Sequence, residues 1–420
     1  MLAPGAVVFF PPARLLLELG SEHFSPALLR KITYLGGNCH SFEEARATLF
    51  ETLELPLSAR YIETLSERVG RELAAQRDRN AELWEQQQMP ASPLATAPQA
   101  VAIAVDDGKV RTRAPAHPPG VHEAAWQNDR VACLTTYALQ LHAEDPRPDP
   151  PAAFTQRATV ERLVAELGHV RCNPKTAAAG PARTPAPPPS AASRRWTPQP
   201  LVRSCVATQT GSDRFGAMIA AEAHLRRFSE AQERVFLGDG APGNWTLQEL
   251  YFPDFFPLLD FVHLIEHLYA AAKAGEAQVD WPLYLQLVRA AWRGEADHLL
   301  HLLRRKADRL GPPPEQAKDD DPRKIATGTW RYVERNCQRL QYPRARRLGL
   351  PVTSSQVESL VNSVNLRVKA CGKFWCPSNA DDILQIRAAT LSQTDRWSAF
   401  WKTRGASQRG RIRAPSLRAA

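Results

Sequence analysis

The apolar positions of this chain change period several times along its length, and each change marks an element. Up to about residue 90 they recur at helical spacing. Ser41 precedes Phe42-Glu43-Glu44, a serine with glutamate three residues on, which is the sequence form of a capping box. A helix is predicted to open there. A second is predicted from Ser58 through Tyr61, Ile62, Leu65 and Val69. Joined around Leu55-Pro56, the two make a candidate helix-turn-helix whose second helix enters a DNA groove, although most helical hairpins merely pack together. Residues 1–90 thus read as an all-α N-terminal domain, followed by a Gln-, Ala- and Pro-rich linker up to Pro98.

The period then shortens. Val101 to Val105 is a buried-type strand ending at Asp106-Asp107-Gly108, with Val110 to Arg113 expected as a returning strand after a Gly108 turn. Val131 to Leu139 is the next. Between Asp145 and Pro200 lie twelve of the 35 prolines, so 145–200 is expected to be a flexible insertion holding one short helix near Val160 to Leu167. Order resumes at Leu201, with a helix carrying Phe215, Ile219, Ala223 and Leu225. Val235-Phe236-Leu237 ends at Gly238-Asp239-Gly240, and Phe256 to Leu259 ends at Asp260. Residues 263–350 read as a helical insertion, and a last helix is expected near Ser354-Ser355 with Val357, Leu360, Val361 and Val364. The alternation describes an α/β domain assembled from 98–144, 201–262 and 351–401.

Composition narrows the class. With 44% apolar and 23% charged residues, wholesale disorder is excluded, and no run of eighteen uncharged apolar residues offers a membrane span. The short apolar stretch from Met1 to Phe10 has no basic flank and meets Pro11-Pro12, so no signal peptide is expected. Seven scattered cysteines without a Cys-x-x-Cys pair argue against a zinc ribbon or a disulfide framework and fit a reducing cytoplasm. The net charge of +9 is uneven: residues 323–420 hold nineteen Lys/Arg against five Asp/Glu, a balance of +14, leaving −5 for the rest. Residues 402–420 are expected to be a basic disordered tail. With the arginines of Arg331 to Arg347 interleaved by Tyr332 and Tyr342, this quarter reads as a polyanion surface.

The candidate chemistry is acidic. Asp106, with Asp107 beside it, and Asp239 each end a buried-type strand before glycine, at the sheet edge where reactive groups collect. Glu358 sits on the last expected helix among apolar neighbours, where a carboxylate is costly to bury without a cation. A hard divalent cation suits such donors, and two ions roughly 3.5–4 Å apart serve phosphoryl transfer. Singly, each acid is more simply a turn or cap residue.

Gly238-Asp239-Gly240-Ala241, Asn244-Trp245, Phe252-Pro253 and Asp260-Phe261-Val262-His263 together resemble a known family. So do Tyr342-Pro343, Gly349-Leu350-Pro351, Ser354 to Ser359 and Arg367-Val368-Lys369. They look like the DDE transposases of bacterial insertion sequences, specifically the Kra-type group, distantly similar to Mutator-like elements. Asp106-Asp107-Gly108-Lys109, with Arg111 and Arg113, resembles the group's first-aspartate strand, which more usually reads Asp-Gly-Gly-Arg. The first ligand is thus Asp106 or Asp107, with Asp106 aligning best. The resemblance spans roughly residues 30 to 400. It implies an RNase H-like fold, interrupted by the Pro-rich and helical insertions, with Asp106, Asp239 and Glu358 as catalytic metal ligands. Two Mg²⁺ or Mn²⁺ ions, double-stranded DNA ends, and at least a dimer on DNA are implied with it, as is a nucleoid-associated cytoplasmic setting. Asp260 and His263 match the family's Asp-x-x-His signature, which places His263 near scissile DNA. Arg367, Lys369 and Lys373 are the expected phosphate contacts.

Two other readings compete. His263-Leu264-Ile265-Glu266-His267 matches the inverted zinc-peptidase motif, with His263 and His267 one helical turn apart and Glu266 as base. His298 and His301 extend such a cluster only if they are not simply solvated, and Cys371 and Cys376 read as half-buried small residues. The other alternative is a catalytically inactive, domesticated DNA-binding protein.

Overall fold

The structure, a computed structural model, describes residues 24–112, 125–172, 197–209, 212–354, 359–360, 363–364, 366–369, 373 and 375–412. It opens with α1 (Pro26–Asn38), α2 (Phe42–Leu53) and α3 (Ala59–Glu85), each started by a serine: Ser25, Ser41 and Ser58 accept from the N–H of Leu28, Glu44 and Tyr61. At α2 the reciprocal bond also forms, but Glu44 reaches the N–H of His40 (2.7 Å) and not that of Ser41. Then follow β1 (Ala100–Thr112), β2 (Ala125–Tyr137), α4 (Arg157–Cys172), β3 (Pro200–Thr208) and α5 (Ser212–Leu225). After them come β4 (Glu233–Gly238), α6 (Pro242–Tyr251), β5 (Phe256–Leu259) and α7 (Phe261–Lys273). The helical run continues with α8 (Trp281–Trp292), α9 (Ala296–Leu310), α10 (Pro322–Asn336) and α11 (Tyr342–Arg347). It closes with α12 (Pro377–Leu391) and α13 (Arg396–Ile412).

The strands form one mixed sheet in the order β3-β2-β1-β4-β5. β1 pairs antiparallel with β2 and parallel with β4; β2–β3 is antiparallel and β4–β5 parallel. The expected turn at Gly108 is not there. Gly108 lies in the ladder opposite Asp129, and β1 runs on as one strand, burying Gly108, Val110 and Thr112 while Asp107, Lys109 and Arg111 take the other side. That period of two is the strand signal; the glycine merely interrupts its hydrophobicity.

One continuous core runs from Leu29 to Trp401, so the N-terminal helices close no core of their own. α3 lies against α12 and α5, and Gly70 permits this: a Cβ there would stand 2.1 Å from the Asp382 carbonyl oxygen. Arg77, buried on α3, ties the layers by donating to the Ala207 carbonyl (3.2 Å) at the end of β3 and to Asp381 (3.2 Å) on α12. α3 buries Ile62, Leu65, Val69 and Leu73 against this core and leaves Arg60, Thr64, Arg71 and Arg79 exposed on its opposite face.

Residues 145–172 are also ordered, where a flexible insertion was expected. Phe154 packs on Phe261 and Trp292, the Trp292 indole donates to the Arg147 carbonyl (2.8 Å), and Asp145 pairs with fully buried Arg346. Apolar anchoring outweighs proline content there; residues 173–196 lie outside the described set. At the other end, α13 runs from Arg396 to Ile412, through the first part of the stretch expected to be a tail, and residues 413–420 lie outside the described set. Buried Trp397, Phe400 and Trp401 and the Arg404–Glu72 ion pair (2.7 Å) hold it. Among the described residues, no helix is long and apolar enough to cross a membrane.

Candidate active site

The site grows where β4 ends beside its longer parallel neighbour β1. Ala104 of β1 is in register with Leu237 of β4, so two residues further Asp106 and Asp239 fall on the same side of the sheet edge. Asp107 points the other way, opposite Arg130 of β2, and pairs with it at 3.4 Å. Of the two candidate first acids, Asp106 therefore shares a face with Asp239.

Asp239 is held from three directions. Its Oδ1 accepts from the N–H of Ala241 and the side-chain amide of Asn244, both at 2.9 Å, and its carbonyl accepts from the Tyr332 hydroxyl at 2.7 Å. Gly240 takes φ +91°, and a Cβ there would lie 2.5 Å from the Tyr332 ring. The tyrosine, on α10, also stacks on His267 with ring centroids 4.0 Å apart.

Asp260 follows β5 and caps α7. Its Oδ1 accepts from the N–H of Val262 (2.6 Å) and His263 (3.0 Å), and its Oδ2 from the N–H of Ser354. The cap role falls to this fully buried aspartate, and the His263 ring sits beside it, Nδ1 at 3.5 Å from Oδ1. That is an ion-pair distance and too long for a strong hydrogen bond.

The charges interact. Burial pushes the Asp106 carboxyl up to about 6, and the charges of Asp239 and Asp107 add to it, while His263 and the Asp107 N–H (2.8 Å) pull against it. Asp107 is raised as well, first by burial, with Arg130 opposing. Burial alone would drive the His263 imidazole down. The Asp260 carboxylate, with Asp106 and Asp239 behind it, overrides that and lifts it to about 9. For Asp260, burial is likewise the largest effect and raises the carboxyl, yet His263 and the N–H donors hold it below the usual range. His263 is thus an imidazolium at neutral pH, the local counter-charge to a carboxylate set with more negative charge than it can comfortably hold.

Hard oxygen donors with unrelieved negative charge fit a divalent cation. Asp106 and Asp239 are two such donors; Glu358 lies outside the described residues, between Ser354 and Leu360. Among the described residues, no group of three or more His, Cys, Asp or Glu side chains stands in metal-ligand geometry, His263, Glu266 and His267 included. His298 and His301 are exposed on α9, Cys376 is a half-buried free thiol, and Cys371 is not described.

The expected phosphate contacts are differently placed. Arg367 is 3% exposed; its guanidinium donates to the Gly36 carbonyl (3.1 Å) and stacks over Phe42 at 4.2 Å and Trp375 at 5.3 Å. Burial lowers it to about 10. Lys373 donates to the carbonyls of His40 and Arg367, and burial lowers it to about 8. Both cations fasten the segment after Glu358 to the end of α1, where carbonyls lack partners. Lys369 is half-buried. Of the Arg331 to Arg347 stretch, Arg331, Arg335, Arg344 and Arg347 are exposed, whereas Arg346 and Tyr342 are core.

Tyr332, Asn244 and Ser354 lie within the sequence motifs, but the motifs assign none of them a part in holding the acids. Asn244 was within reach, five residues after Asp239; nothing local marks Tyr332, ninety-three residues away. No protein-family model matches the chain, and no curated protein matches its sequence significantly.

Proposed function

We propose that this chain is a DDE-type transposase with an RNase H-like catalytic core, acting on the DNA ends of a bacterial insertion sequence. The observation that carries the reading is the placement of Asp106 and Asp239 on one face where β4 ends beside its parallel neighbour β1, with protonated His263 beside them. The placement of Asp106 on β1 and of Asp239 directly after β4 supports the RNase H-like assignment, as does the helical run α7 to α11 before Glu358.

Asp106, Asp239 and Glu358 would hold two Mg²⁺ or Mn²⁺ ions, which supply charge neutralisation at the phosphodiester and activation of the attacking oxygen. Water attacks phosphorus and the bond to the 3′ oxygen breaks, leaving a 3′-hydroxyl and a 5′-phosphate. The 3′-hydroxyl then attacks a target phosphodiester, displacing another 3′ oxygen, with no covalent bond to protein. Asn244 and the Ala241 N–H fix the Asp239 carboxylate. Asp260 keeps His263 charged, and its imidazolium beside the two acids would contribute preorganised positive charge toward a scissile phosphate held there. Exposed Arg331, Arg335, Arg344 and Arg347 offer duplex contacts. Two element ends imply two subunits, in a cytoplasmic, nucleoid-associated setting.

The test is Mg²⁺-dependent nicking of element-end DNA. D106N, D239N and E358Q each abolish strand cleavage while end binding persists, whereas D107N, which loses only the Arg130 pair, retains it. Cleavage surviving in D239N and E358Q removes the proposal.

A further inference from the structure

α1, the last turn of α2 and the start of α13 line an open apolar groove of about 840 Å³. Tyr34, Leu35, Trp397 and Trp401 form its floor and walls. Its charged lining is unbalanced: Arg30, Lys31 and Lys402 against Asp395. Arg30 is partly engaged, donating to Ser398 at 3.3 Å. The other two cations are exposed on the rim.

Beside this hole stands a knob of the opposite character. α2 stops at Leu53 because Glu54 turns into the left-handed region at φ 50°, so the helix's last turn projects. It carries Phe50, 51% exposed, and Leu53, 37% exposed, flanked by exposed Glu51 and Glu54. Leu53 joins this exposed turn to the apolar lining of the groove, so the apolar surface is continuous from Leu53 to Tyr34, Trp397 and Trp401. Knob and hole thus adjoin.

We propose that this face is the interface of a homodimer, with Phe50 and Leu53 of each copy seated in the groove of the other. The argument for a second copy is self-complementarity. An acidic apolar knob and a basic apolar hole lie side by side on one chain, and a two-fold rotation satisfies both at once, as an isologous interface requires. An unrelated partner needs only one of the two halves. The aromatic and aliphatic contacts supply the affinity, while the rim pairs of Glu51 and Glu54 with Lys31 and Lys402 select orientation, since exposed ion pairs contribute little net energy.

The experiment is the solution mass of the full chain without DNA, by sedimentation velocity from nanomolar to tens of micromolar protein. The wild-type chain forms a concentration-dependent dimer. F50D/L53D, altered only at exposed positions and checked for folding by circular dichroism, raises the dissociation constant at least about thirtyfold, as loss of central anchors does. Charge reversal gives the stricter arm: E51K/E54K alone and K31E/K402E alone are each monomeric where wild type dimerises, and mixing them yields a heterodimer. Overturning results are a wild-type chain monomeric throughout, an F50D/L53D dimer of unchanged strength, or charge-reversed proteins that fail to pair when mixed. Because the readout is mass, it stands apart from any cleavage assay.

Discussion

Substituting Gly240 by alanine tests how the helical run supports the Asp239 cradle. The backbone there has φ +91°, where an L-residue is strained by about 1–2 kcal/mol. The added Cβ would also stand 2.5–2.8 Å from three atoms of Tyr332. That ring cannot swing away freely, since its hydroxyl donates to the Asp239 carbonyl at 2.7 Å and its face stacks on His267. Displacing it gives up a hydrogen bond worth about 0.5–1.5 kcal/mol and a ring pair of about the same value. G240A is therefore expected to lose about 2–5 kcal/mol in urea unfolding. In the cycle with Y332A, the double variant is less destabilised than the sum of the singles by about 1–2 kcal/mol, because the clash disappears with the ring. A G240A loss below about 0.5 kcal/mol, or strict additivity in the cycle, refutes the claim that Tyr332 presses on this turn.

Further outcomes follow from the buried charges. His263 is lifted from 6.5 to about 9, so the stabilisation from its pairing with Asp260 is complete below pH 6.5 and is lost as pH rises through 9. The span corresponds to about 3 kcal/mol, in a window above the titration of Asp106. Urea unfolding in metal-free buffer at several pH values between these limits reads it, D260N should flatten the profile, and a flat wild-type profile contradicts the pairing. For Arg367, R367A is expected to cost about 2–4 kcal/mol because it vacates a buried, stacked and hydrogen-bonded position, and R367K should not rescue it. The salt dependence of DNA binding should stay the same; a slope reduced by about 0.9 would instead mark a lost phosphate contact.

The features legible in the sequence were those decided within a few residues. Ser41 and Ser58 start helices because a hydroxyl oxygen reaches the N–H three residues ahead, whatever the rest of the chain does. Val101 to Val105 and Val235 to Leu237 are strands because an apolar run of that length must be buried on both faces, and Asp239 lies at the sheet edge because β4 stops just before it. Tertiary packing decided the rest. β3 went unread because its first three residues face solvent and its buried half carries Ser204 and Thr208, and α12 because it is buried on nearly every side, which erases its amphipathic period. β1 continues past Gly108 only because β2 pairs with it to the end.

The same division runs through the site. Asp106 and Asp239 are visible as the acids that follow apolar runs, but their shared face depends on the register between β1 and β4, residues more than a hundred apart. Arg367 and Lys373 look like phosphate contacts in a basic stretch, and became clamps because the carbonyls of Gly36 and His40, over three hundred residues away, needed donors. Local hydrogen bonding and hydrophobic period are properties of a segment. Register, burial of charge and the partner of a buried cation belong to the whole fold.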